Sequence, residues 1–229
     1  MPLALITGAS KGLGRALAHG LAERGWSLVL DARGASALEA VARELPGGVT
    51  AIAGDVADPR HREALVTAVR GHGRLDLLVN NASYLGPSPM PTLADFPLAE
   101  LARVYGVNVI APLAIVQQLL PFLASDATVV NLSSDAAVEA YPGWGGYGSA
   151  KAALDHLTAV LAAELPGRSV YAVDPGDMRT EMHQAAFPGE DISDRVEPSA
   201  VVPALLRLLE QRPISGRYRA SEFAIEAVR

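Results

Sequence analysis

Residues 3–14 read LALITGASKGLG, a short apolar run that enters a glycine-rich turn, and the helical pattern GRALAHGLAERG follows from residue 14. A strand, a tight turn and a helix start form an anion-binding loop, because free N–H groups and the helix dipole point at the anion. By analogy with dinucleotide-binding folds, Gly8 permits the sharp turn, Gly12 lets the backbone approach a pyrophosphate, and Gly14 lets the helix pack on the strand. The alternative is that these glycines only make a turn.

Strand-like runs alternate with helical patterns along the rest of the chain. The runs lie at 3–7, 27–31, 49–53, 75–79, 127–132, 169–173 and 216–220. This alternation predicts right-handed crossovers and an α/β fold with a doubly wound, Rossmann-like parallel sheet. No Ser-, Gly- or Pro-rich linker interrupts the apolar segments, so we expect a single domain over residues 1–229. Its ligands should bind beyond the carboxyl ends of the strands.

A tyrosine and a lysine four residues apart indicate proton chemistry. Tyr147 and Lys151 in YGSAK share one face of a helix, and Ser134 lies thirteen residues upstream at the end of the run TVVNLSS. An ammonium close to a phenol favours the phenolate, so we expect Lys151 to lower the pKa of Tyr147 from about 10 toward the working range. A tyrosine tuned in this way exchanges a proton with an oxygen bound to carbon. The alternative is that the pair has no catalytic role, since Tyr-x-x-x-Lys also occurs by chance on solvated helices.

Composition narrows the class of protein and of partner. Nineteen basic against twenty-five acidic residues give a net charge of −6, which argues against nucleic acid held by a basic surface. The absence of cysteine excludes disulfides and thiol catalysis. The first strand begins at Leu3, and no apolar run reaches the roughly 18 residues of a membrane helix, so we expect a cytoplasmic protein without a signal peptide or membrane partner.

Histidine spacing gives no sign of a metal site. The chain has five histidines, His19, His61, His72, His156 and His183. None of them has the spacing of metal ligands, and we expect surface positions for all except His183.

Seven short motifs follow one another along nearly the whole chain. They are TGASKGLG at 7–14, GDVAD at 54–58, NNAS at 80–83, Asn108 in GVNV, Ser134, YGSAK at 147–151 and PGDMRT at 175–180. In order and spacing this set resembles the short-chain dehydrogenase/reductase family. Two features depart from the family: Ser83 replaces a usual glycine, and a frequent C-terminal Asp-Gly-Gly is absent. We expect neither departure to touch the proton chemistry, although Ser83 alters the backbone near the nicotinamide ribose.

The resemblance implies a catalytic tetrad of Asn108, Ser134, Tyr147 and Lys151. Asn108 matches the helix asparagine of the family, which holds a water between the lysine and solvent. From its position alone, Asn108 could equally be a polar residue that bends the helix. The resemblance also implies the dinucleotide-binding residues. These are Gly8, Ser10, Lys11, Gly12, Leu13, Gly14, Arg33, Asp55, Val56, Asn81, Ala82, Tyr147, Lys151, Pro175, Gly176, Met178 and Thr180. Among them, Asp55 and Val56 match the adenine contact and Thr180 the partner of the nicotinamide carboxamide.

The end of the second strand, LVLDARGAS, decides the cofactor. In the resembling family, an acid that binds the ribose 2′-hydroxyl usually falls where this chain has Ala32. Arg33 and Lys11 favour NADP(H), because a guanidinium and an ammonium can flank a 2′-phosphate. Asp31 is the contrary sign for NAD(H). Strand alternation should turn its side chain away from that of Ala32, and a shift of one residue would reverse this conclusion.

These features together predict an NADP(H)-dependent carbonyl reductase that acts on a small or hydrophobic ketone or dicarbonyl, or on the corresponding alcohol. Within the family, the segment YPGWGGYGSAKAALDH resembles the sepiapterin-reductase and bacterial benzil-reductase branch. A pterin substrate is an alternative, although the aspartate that anchors pterins aligns with Ala220, with Glu222 two residues on. Two further alternatives are a dinucleotide-sensing regulator without turnover and an epimerase or dehydratase of nucleotide sugars. The second generally requires a longer chain.

Residues 177–198, here called the lid segment, follow the sixth strand at the mouth of the predicted site. The segment has Pro188, Gly189 and a cluster of acids but no long apolar period, so we expect a mobile lid. The candidate substrate contacts are Trp144, Met182, His183 and Phe187. The family resemblance also implies a homodimer or homotetramer formed through the helices that carry Asn108 and Tyr147.

Overall fold

A seven-stranded parallel sheet forms the centre of the computed structural model, which describes residues 1–224. The strands are β1 (Leu3–Ile6), β2 (Ser27–Ala32), β3 (Val49–Ala53), β4 (Leu75–Asn80), β5 (Leu123–Leu132), β6 (Ser169–Asp174) and β7 (Gly216–Arg219). Their order across the sheet is β3-β2-β1-β4-β5-β6-β7. The predicted doubly wound α/β fold is confirmed. The last five residues of the predicted domain, 225–229, lie outside the described part of the chain.

Helices cover both faces of the sheet. They are α1 (Gly12–Ala22), α2 (Ala35–Glu44), α3 (Pro59–His72), α4 (Leu98–Tyr105), α5 (Ala111–Leu119), α6 (Gly145–Glu164), α7 (Glu181–Ala186) and α8 (Pro198–Gln211). Alternate residues of β2 enter two different cores: Leu28 and Leu30 pack with α1 and α8, whereas Val29 packs with α3 and α5. This period of two is the property that turns Asp31 away from Ala32, as predicted.

A continuous helical stretch from Leu98 to Phe122 corrects one prediction. It comprises α4, a π-helical turn at Gly106–Ile110, α5 and a short 3₁₀ turn. An 18-residue window of it has a mean hydropathy of 1.4, so the stretch is long and apolar enough to cross a membrane by length and composition alone, and the expectation that no such stretch exists is wrong. Its side chains Ile115, Val116 and Leu119 are buried against the sheet, which accounts for their apolar character.

The sequence motifs meet at one edge of the sheet. The strands run parallel, so their carboxyl ends share this edge, and the loops after β1, β4, β5 and β6 all begin there. These loops contain Gly8, Asn81, Ser134 and Pro175, respectively. The topology therefore assembles one site from segments that are far apart in sequence.

Candidate active site

The glycine loop after β1 has the backbone shape that its sequence predicts. Gly8 and Gly12 have positive φ angles of 68° and 57°. A Cβ atom on Gly14 would lie 2.4 Å from Asn81 Nδ2 and 2.5 Å from the Gly8 carbonyl oxygen, so a side chain cannot be placed there. Only Thr180 Cγ2, at 3.6 Å, lies within 4 Å of the position of a Cβ atom on Gly12. The backbone at Gly12 is therefore open to a ligand, whereas Gly14 packs against the adjacent loop.

The start of α1 fits an anion. Lys11 occupies the N-cap position but makes no side-chain hydrogen bond to the helix, and the first turn contains no acidic residue. The backbone N–H groups of the first turn of α1 and the positive end of the helix dipole are therefore free to bind a ligand. This arrangement suits the pyrophosphate of a dinucleotide. Beside them Ser10 is half-buried, and Leu13 is anchored in the core.

Asn81 and Ala82 hold the glycine loop in place. The Asn81 side-chain amide donates hydrogen bonds to the carbonyl oxygens of Thr7 (2.8 Å) and Gly8 (3.0 Å). In return, the Thr7 hydroxyl accepts from the backbone N–H groups of Asn81 and Ala82, both at 3.0 Å. Sequence reasoning missed Thr7, although its position before Gly8 and its hydroxyl are visible in the sequence. The four bonds fix the end of β1 against the end of β4.

The three residues considered for cofactor choice have different environments. Arg33 is exposed, and it makes no hydrogen bond or ion pair to another residue in the described range 1–224. Lys11 forms an exposed ion pair with Glu181 of α7. Asp31 is 1% exposed and pairs with His61. The surface therefore offers a free guanidinium at this edge, while Asp31 is not available to a ligand.

The pairing of Asp31 corrects the prediction that His61 is a surface residue. His61 is 8% exposed, and its Nε2 hydrogen-bonds to Asp31 Oδ1. Burial raises the pKa of Asp31, and the hydrogen bond from His61 opposes this shift. Gly54 provides the space for the ring, since a Cβ atom there would lie 2.1 Å from His61 Nδ1. Within residues 1–224, no three His, Cys, Asp or Glu side chains form a group that could hold a metal ion.

The loop after β3 supplies the residues predicted to contact adenine. Asp55 accepts a hydrogen bond from the backbone N–H of Ala57 at 2.9 Å. Val56 is buried, and its carbonyl oxygen accepts a hydrogen bond from Arg62 at 2.7 Å. These contacts fix the backbone of the loop beside β2.

The glycine inside YGSAK brings the start of α6 against the end of β5. A Cβ atom on Gly148 would lie 2.5 Å from the carbonyl oxygen of Ala136, in the turn that follows Ser134. Tyr147 is 8% and Lys151 2% exposed. Lys151 Nζ donates a hydrogen bond to the Leu132 carbonyl oxygen at 2.6 Å and lies 5.5 Å from the centre of the Tyr147 ring. The structure thus brings Ser134, Tyr147 and Lys151 together, as their spacing indicates.

The direction of the Tyr147 shift contradicts the prediction of a lowered pKa. Burial raises the pKa of Tyr147 to about 12, and the negative charges of Asp135 and Asp174 raise it further. Burial also lowers the pKa of Lys151 to about 8. The prediction failed because the Lys151 ammonium is bound to a backbone carbonyl and both groups are desolvated. Tyr147 is therefore a protonated phenol at neutral pH.

Asn108 lies in the π-helical turn and is bound to the loop after β4. Its Oδ1 accepts from the Tyr84 backbone N–H at 2.8 Å and from the Ser83 hydroxyl at 3.2 Å, and its Nδ2 donates to the Tyr84 carbonyl oxygen at 2.9 Å. The irregular helix agrees with the helix-bending alternative. Ser83, the departure from the family pattern, therefore contacts Asn108 through its side chain.

A cavity opens in front of Tyr147. It is lined by Leu85, Ser133, Ser134, Asp135, Trp144, Tyr147, Asp174, Pro175, Gly176, Asp177, Met178, Thr180, Met182, His183 and Ala186. Ser134 donates a hydrogen bond to Asp135 Oδ1 at 2.9 Å. Sequence reasoning missed Ser133 and the three aspartates, although SSD follows β5 directly and VDPGD spans the end of β6, so both predict positions at this edge.

The lid segment forms one wall of the cavity. The Thr180 hydroxyl accepts a hydrogen bond from the backbone N–H of His183 at 3.1 Å and so caps the short helix α7. The His183 and Phe187 rings are 4.9 Å apart, and Phe187 in turn lies 5.9 Å from Trp144. Trp144, Met182 and His183 line the cavity as predicted, whereas Phe187 supports them from behind.

Residues 2–191 match the family model for short chain dehydrogenases. The chain is 38% identical over 182 residues to serine 3-dehydrogenase from Agrobacterium fabrum, covering 77% of this chain and 72% of the relative. It is 33% identical over 219 residues to benzil reductase ((S)-benzoin forming) from Saccharomyces cerevisiae (90% and 81%). It is 37% identical over 199 residues to sepiapterin reductase from Rattus norvegicus (80% and 76%).

Solved structures agree with this similarity. A protein of the short chain dehydrogenase type from Pseudomonas syringae superimposes with a TM-score of 0.89 at 31% identity, covering 96% of this chain and 94% of that one. Another from Shigella flexneri, solved in complex with NADP, gives a TM-score of 0.88 at 26% identity, with coverages of 96% and 97%. The similarity therefore extends over almost the whole of both chains.

Proposed function

Because the chain belongs to the short-chain dehydrogenase/reductase family of oxidoreductases, we propose that it is an NADP(H)-dependent carbonyl reductase. One observation carries this proposal: Tyr147 is a buried, protonated phenol that faces a cavity beside Ser134 and Lys151. A protonated phenol is the form needed to protonate the alkoxide produced when a carbonyl is reduced. In the reverse direction, the deprotonated form of Tyr147 accepts the proton when an alcohol is oxidised.

The cofactor in this proposal is NADP(H), with NAD(H) as the weaker alternative. The N–H groups at the start of α1 would hold its pyrophosphate, and Arg33 its 2′-phosphate. The loops with Asp55 and Val56, with Asn81 and Ala82, and with residues 175–180 would hold its adenine and nicotinamide ends. When bound, the nicotinamide supplies or accepts the hydride. The similar Shigella flexneri structure, solved with NADP, supports this choice.

Three side chains act on the substrate carbonyl or on the cofactor beside it. Ser134 and Tyr147 hold the oxygen by hydrogen bonds, and Tyr147 donates the proton as negative charge develops on it. For this, the Ser134 hydroxyl turns from Asp135 Oδ1, its present partner, to the substrate. Lys151, bound to the Leu132 carbonyl at 5.5 Å from the centre of the Tyr147 ring, would bond the cofactor ribose and so hold the cofactor beside the proton donor.

The walls of the cavity favour neutral or hydrophobic carbonyl compounds. Leu85, Trp144 and Met182 supply apolar surface, and none of the lining residues within the described chain is a lysine or arginine. Asp135 and Asp177 also line the cavity, and their negative charges disfavour an anionic substrate. For the pterin alternative, Glu222 accepts a hydrogen bond from the Arg219 backbone N–H and does not line the cavity.

A panel of carbonyl compounds tests the function directly. Purified protein is mixed with NADPH and, separately, with benzil, sepiapterin and a keto acid, and the loss of NADPH absorbance is followed. We expect reduction of benzil and poor use of the keto acid. Reduction of sepiapterin alone would favour the pterin alternative. Tight binding of NADPH without turnover on any member of a broad panel would favour the sensing regulator.

We further propose a homo-oligomer formed through α4, α5 and α6. Ile110, between α4 and α5, is 60% exposed, and Val160 on α6 is 39% exposed. Burial of these two apolar side chains by a second copy of the chain is more favourable than their exposure to water. We expect light scattering to give the mass of a dimer or tetramer, and Val160→Glu to lower it. Ile214→Glu, at an exposed position outside these helices, is the control. A monomeric wild-type protein would contradict the proposal.

The lid segment should be ordered by its ligands. We expect its amide hydrogens to exchange faster than those of α6 around Tyr147, and to slow when NADP(H) and a substrate analogue bind, because lids exclude water only when the site is filled. Hydrogen exchange followed by mass spectrometry gives this comparison within one sample. Uniformly slow exchange without ligand, unchanged on binding, would mean that 177–198 is a fixed flap and would remove His183 and Phe187 from the substrate contacts.

A further inference from the structure

Arg217 of β7 joins three elements that surround the cavity, although it does not line the cavity itself. Its Nε donates a hydrogen bond to Asp155 Oδ2 on α6 at 2.9 Å. Its Nη2 donates to the carbonyl oxygen of Ser134, directly after β5, at 3.0 Å. The same Nη2 lies 3.6 Å from Asp174 Oδ2 at the end of β6. The side chain of Arg217 is 26% exposed, so these contacts are largely shielded from solvent.

The guanidinium adds to two direct contacts that hold α6 against the end of β5. Lys151 bonds to the Leu132 carbonyl at 2.6 Å, and Gly148 packs closely against the turn that follows Ser134. Arg217 acts between these two points, at the carbonyl of Ser134 itself. A guanidinium presents its N–H donors in one rigid plane, so the two groups that it binds are held in a fixed relation to each other.

We propose that Arg217 is a positioning residue for the reaction, whose guanidinium fixes the backbone of Ser134 relative to α6, the helix that carries Tyr147. This inference rests on the proposed reductase function, in which the hydroxyls of Ser134 and Tyr147 bind one substrate oxygen. The Ser134 hydroxyl must turn from Asp135 to that oxygen, and a fixed carbonyl confines this movement to the side chain. Two hydroxyls that meet at one atom must keep their separation, since a misplacement of about 1 Å can lower a rate by about 100-fold.

The charges around Arg217 suit a guanidinium at this position. Asp155 and Asp174 are 15% and 6% exposed, so both carboxylates need a cationic partner. A second cation, Arg219, lies 4.0 Å from Asp174 but is 57% exposed, so it contributes little. Replacement of Arg217 by alanine would leave two carboxylates and the Ser134 carbonyl around a space of the size of the lost group. A guanidinium ion from solution fits that space in shape and charge.

Chemical rescue of Arg217→Ala tests this role. With NADPH and the most active carbonyl compound of the panel, we expect kcat to fall by about 10- to 100-fold. KM for NADPH should change little, because three strands separate β7 from β1, whose loop binds the pyrophosphate in the proposed function. Guanidinium chloride, far below the concentrations that unfold proteins, should restore part of the lost turnover, whereas sodium chloride at equal ionic strength should not. Arg217→Lys, which keeps the charge but not the planar fork, should give an intermediate kcat.

Arg219→Ala is the matched control, since it removes an exposed arginine two residues further along the same strand. We expect nearly unchanged turnover and no response to guanidinium. An equal response of both variants would mean a general salt effect and would overturn the role of Arg217. So would wild-type kcat in folded Arg217→Ala, or a loss that neither guanidinium nor the lysine variant reduces. If Arg217→Ala fails to fold, as judged by circular dichroism, Arg217→Lys decides: a lower kcat at unchanged KM for NADPH supports the role, and an unchanged kcat overturns it.

Hydrogen exchange distinguishes failure of this role from failure of the reductase function. The Ser134 carbonyl also accepts a hydrogen bond from the backbone N–H of Ala137 at 3.1 Å, so a loosened Ser134 should expose the turn at 133–137. We expect these amides to exchange faster in Arg217→Ala and to slow again with guanidinium, whether or not a carbonyl compound is reduced. Unchanged exchange overturns the role of Arg217 even in an active enzyme. Absence of turnover by the wild-type protein on every carbonyl and alcohol overturns the reductase function and leaves the exchange comparison readable.

Discussion

Replacement of Tyr147 by phenylalanine is expected to lower turnover by about 10²–10⁴-fold and to leave NADPH affinity nearly unchanged. Phenylalanine keeps the ring that packs against Trp144 and removes only the hydroxyl, which is the proposed proton donor. The measurements are kcat with benzil and the dissociation constant of NADPH from fluorescence titration. Both are needed, because a fall in turnover alone does not separate chemistry from binding.

Tyr141→Phe is the matched control for this variant. Tyr141 also contacts Trp144, and its hydroxyl donates to Asp135 at 3.1 Å, so the substitution removes a neighbouring phenol that does not line the cavity. We expect a small effect on turnover. Activity of Tyr147→Phe within tenfold of the parent would contradict the assignment, and simultaneous loss of NADPH binding would indicate a structural role for Tyr147.

Arg33→Ala should raise KM for NADPH by about 10- to 100-fold and change KM for NADH little. A charge-assisted hydrogen bond contributes about 1.5–3 kcal/mol, and NADH lacks the phosphate that receives it. Arg33 is suited to this contact because it has no ion-pair partner within residues 1–224. Initial rates with both cofactors give the ratio of the two constants directly.

Arg43→Ala provides the control for a change of surface charge. Arg43 lies in the last turn of α2 and bonds to the carbonyl oxygen of Glu39. An equal effect of both substitutions would mean that Arg33 acts only through general electrostatics. Unchanged preference in Arg33→Ala would transfer phosphate recognition to Lys11, which must then leave Glu181. Asp31 is no longer a candidate for the ribose contact, because its pair with His61 is buried.

Local patterns were sufficient to predict most of the fold. Apolar runs of strand length separated by helical patterns give the seven strands, and β2 alternates as predicted, so the direction of Asp31 was available from the sequence. The predicted fifth strand began at residue 127, whereas β5 begins at Leu123. The polar, exposed residues Ser125 and Asp126 interrupt the apolar pattern near the start of β5, and the strand pairs with β4 there through an irregular register that has no sequence signal.

Properties that depend on distant neighbours were not predictable. His61 is buried because Asp31, thirty residues earlier, faces it across the β2–α3 contact, and nothing near His61 in sequence reveals that partner. The pKa of Tyr147 depends on burial and on where Lys151 finds a hydrogen-bond acceptor; spacing on a helix determines neither.

The packing around the glycine loop divides the cofactor site into fixed and adjustable parts for protein engineering. Side chains at Gly8 and Gly14 would collide with the neighbouring loop, at 2.9 Å and 2.4 Å from Asn81 Nδ2, respectively. Libraries that vary these two glycines would therefore consist mostly of misfolded clones. Arg33 and its neighbour Gly34 are exposed, so both can be replaced without disturbing the packing of the core. Selection for a different coenzyme should therefore find its gains at the end of β2.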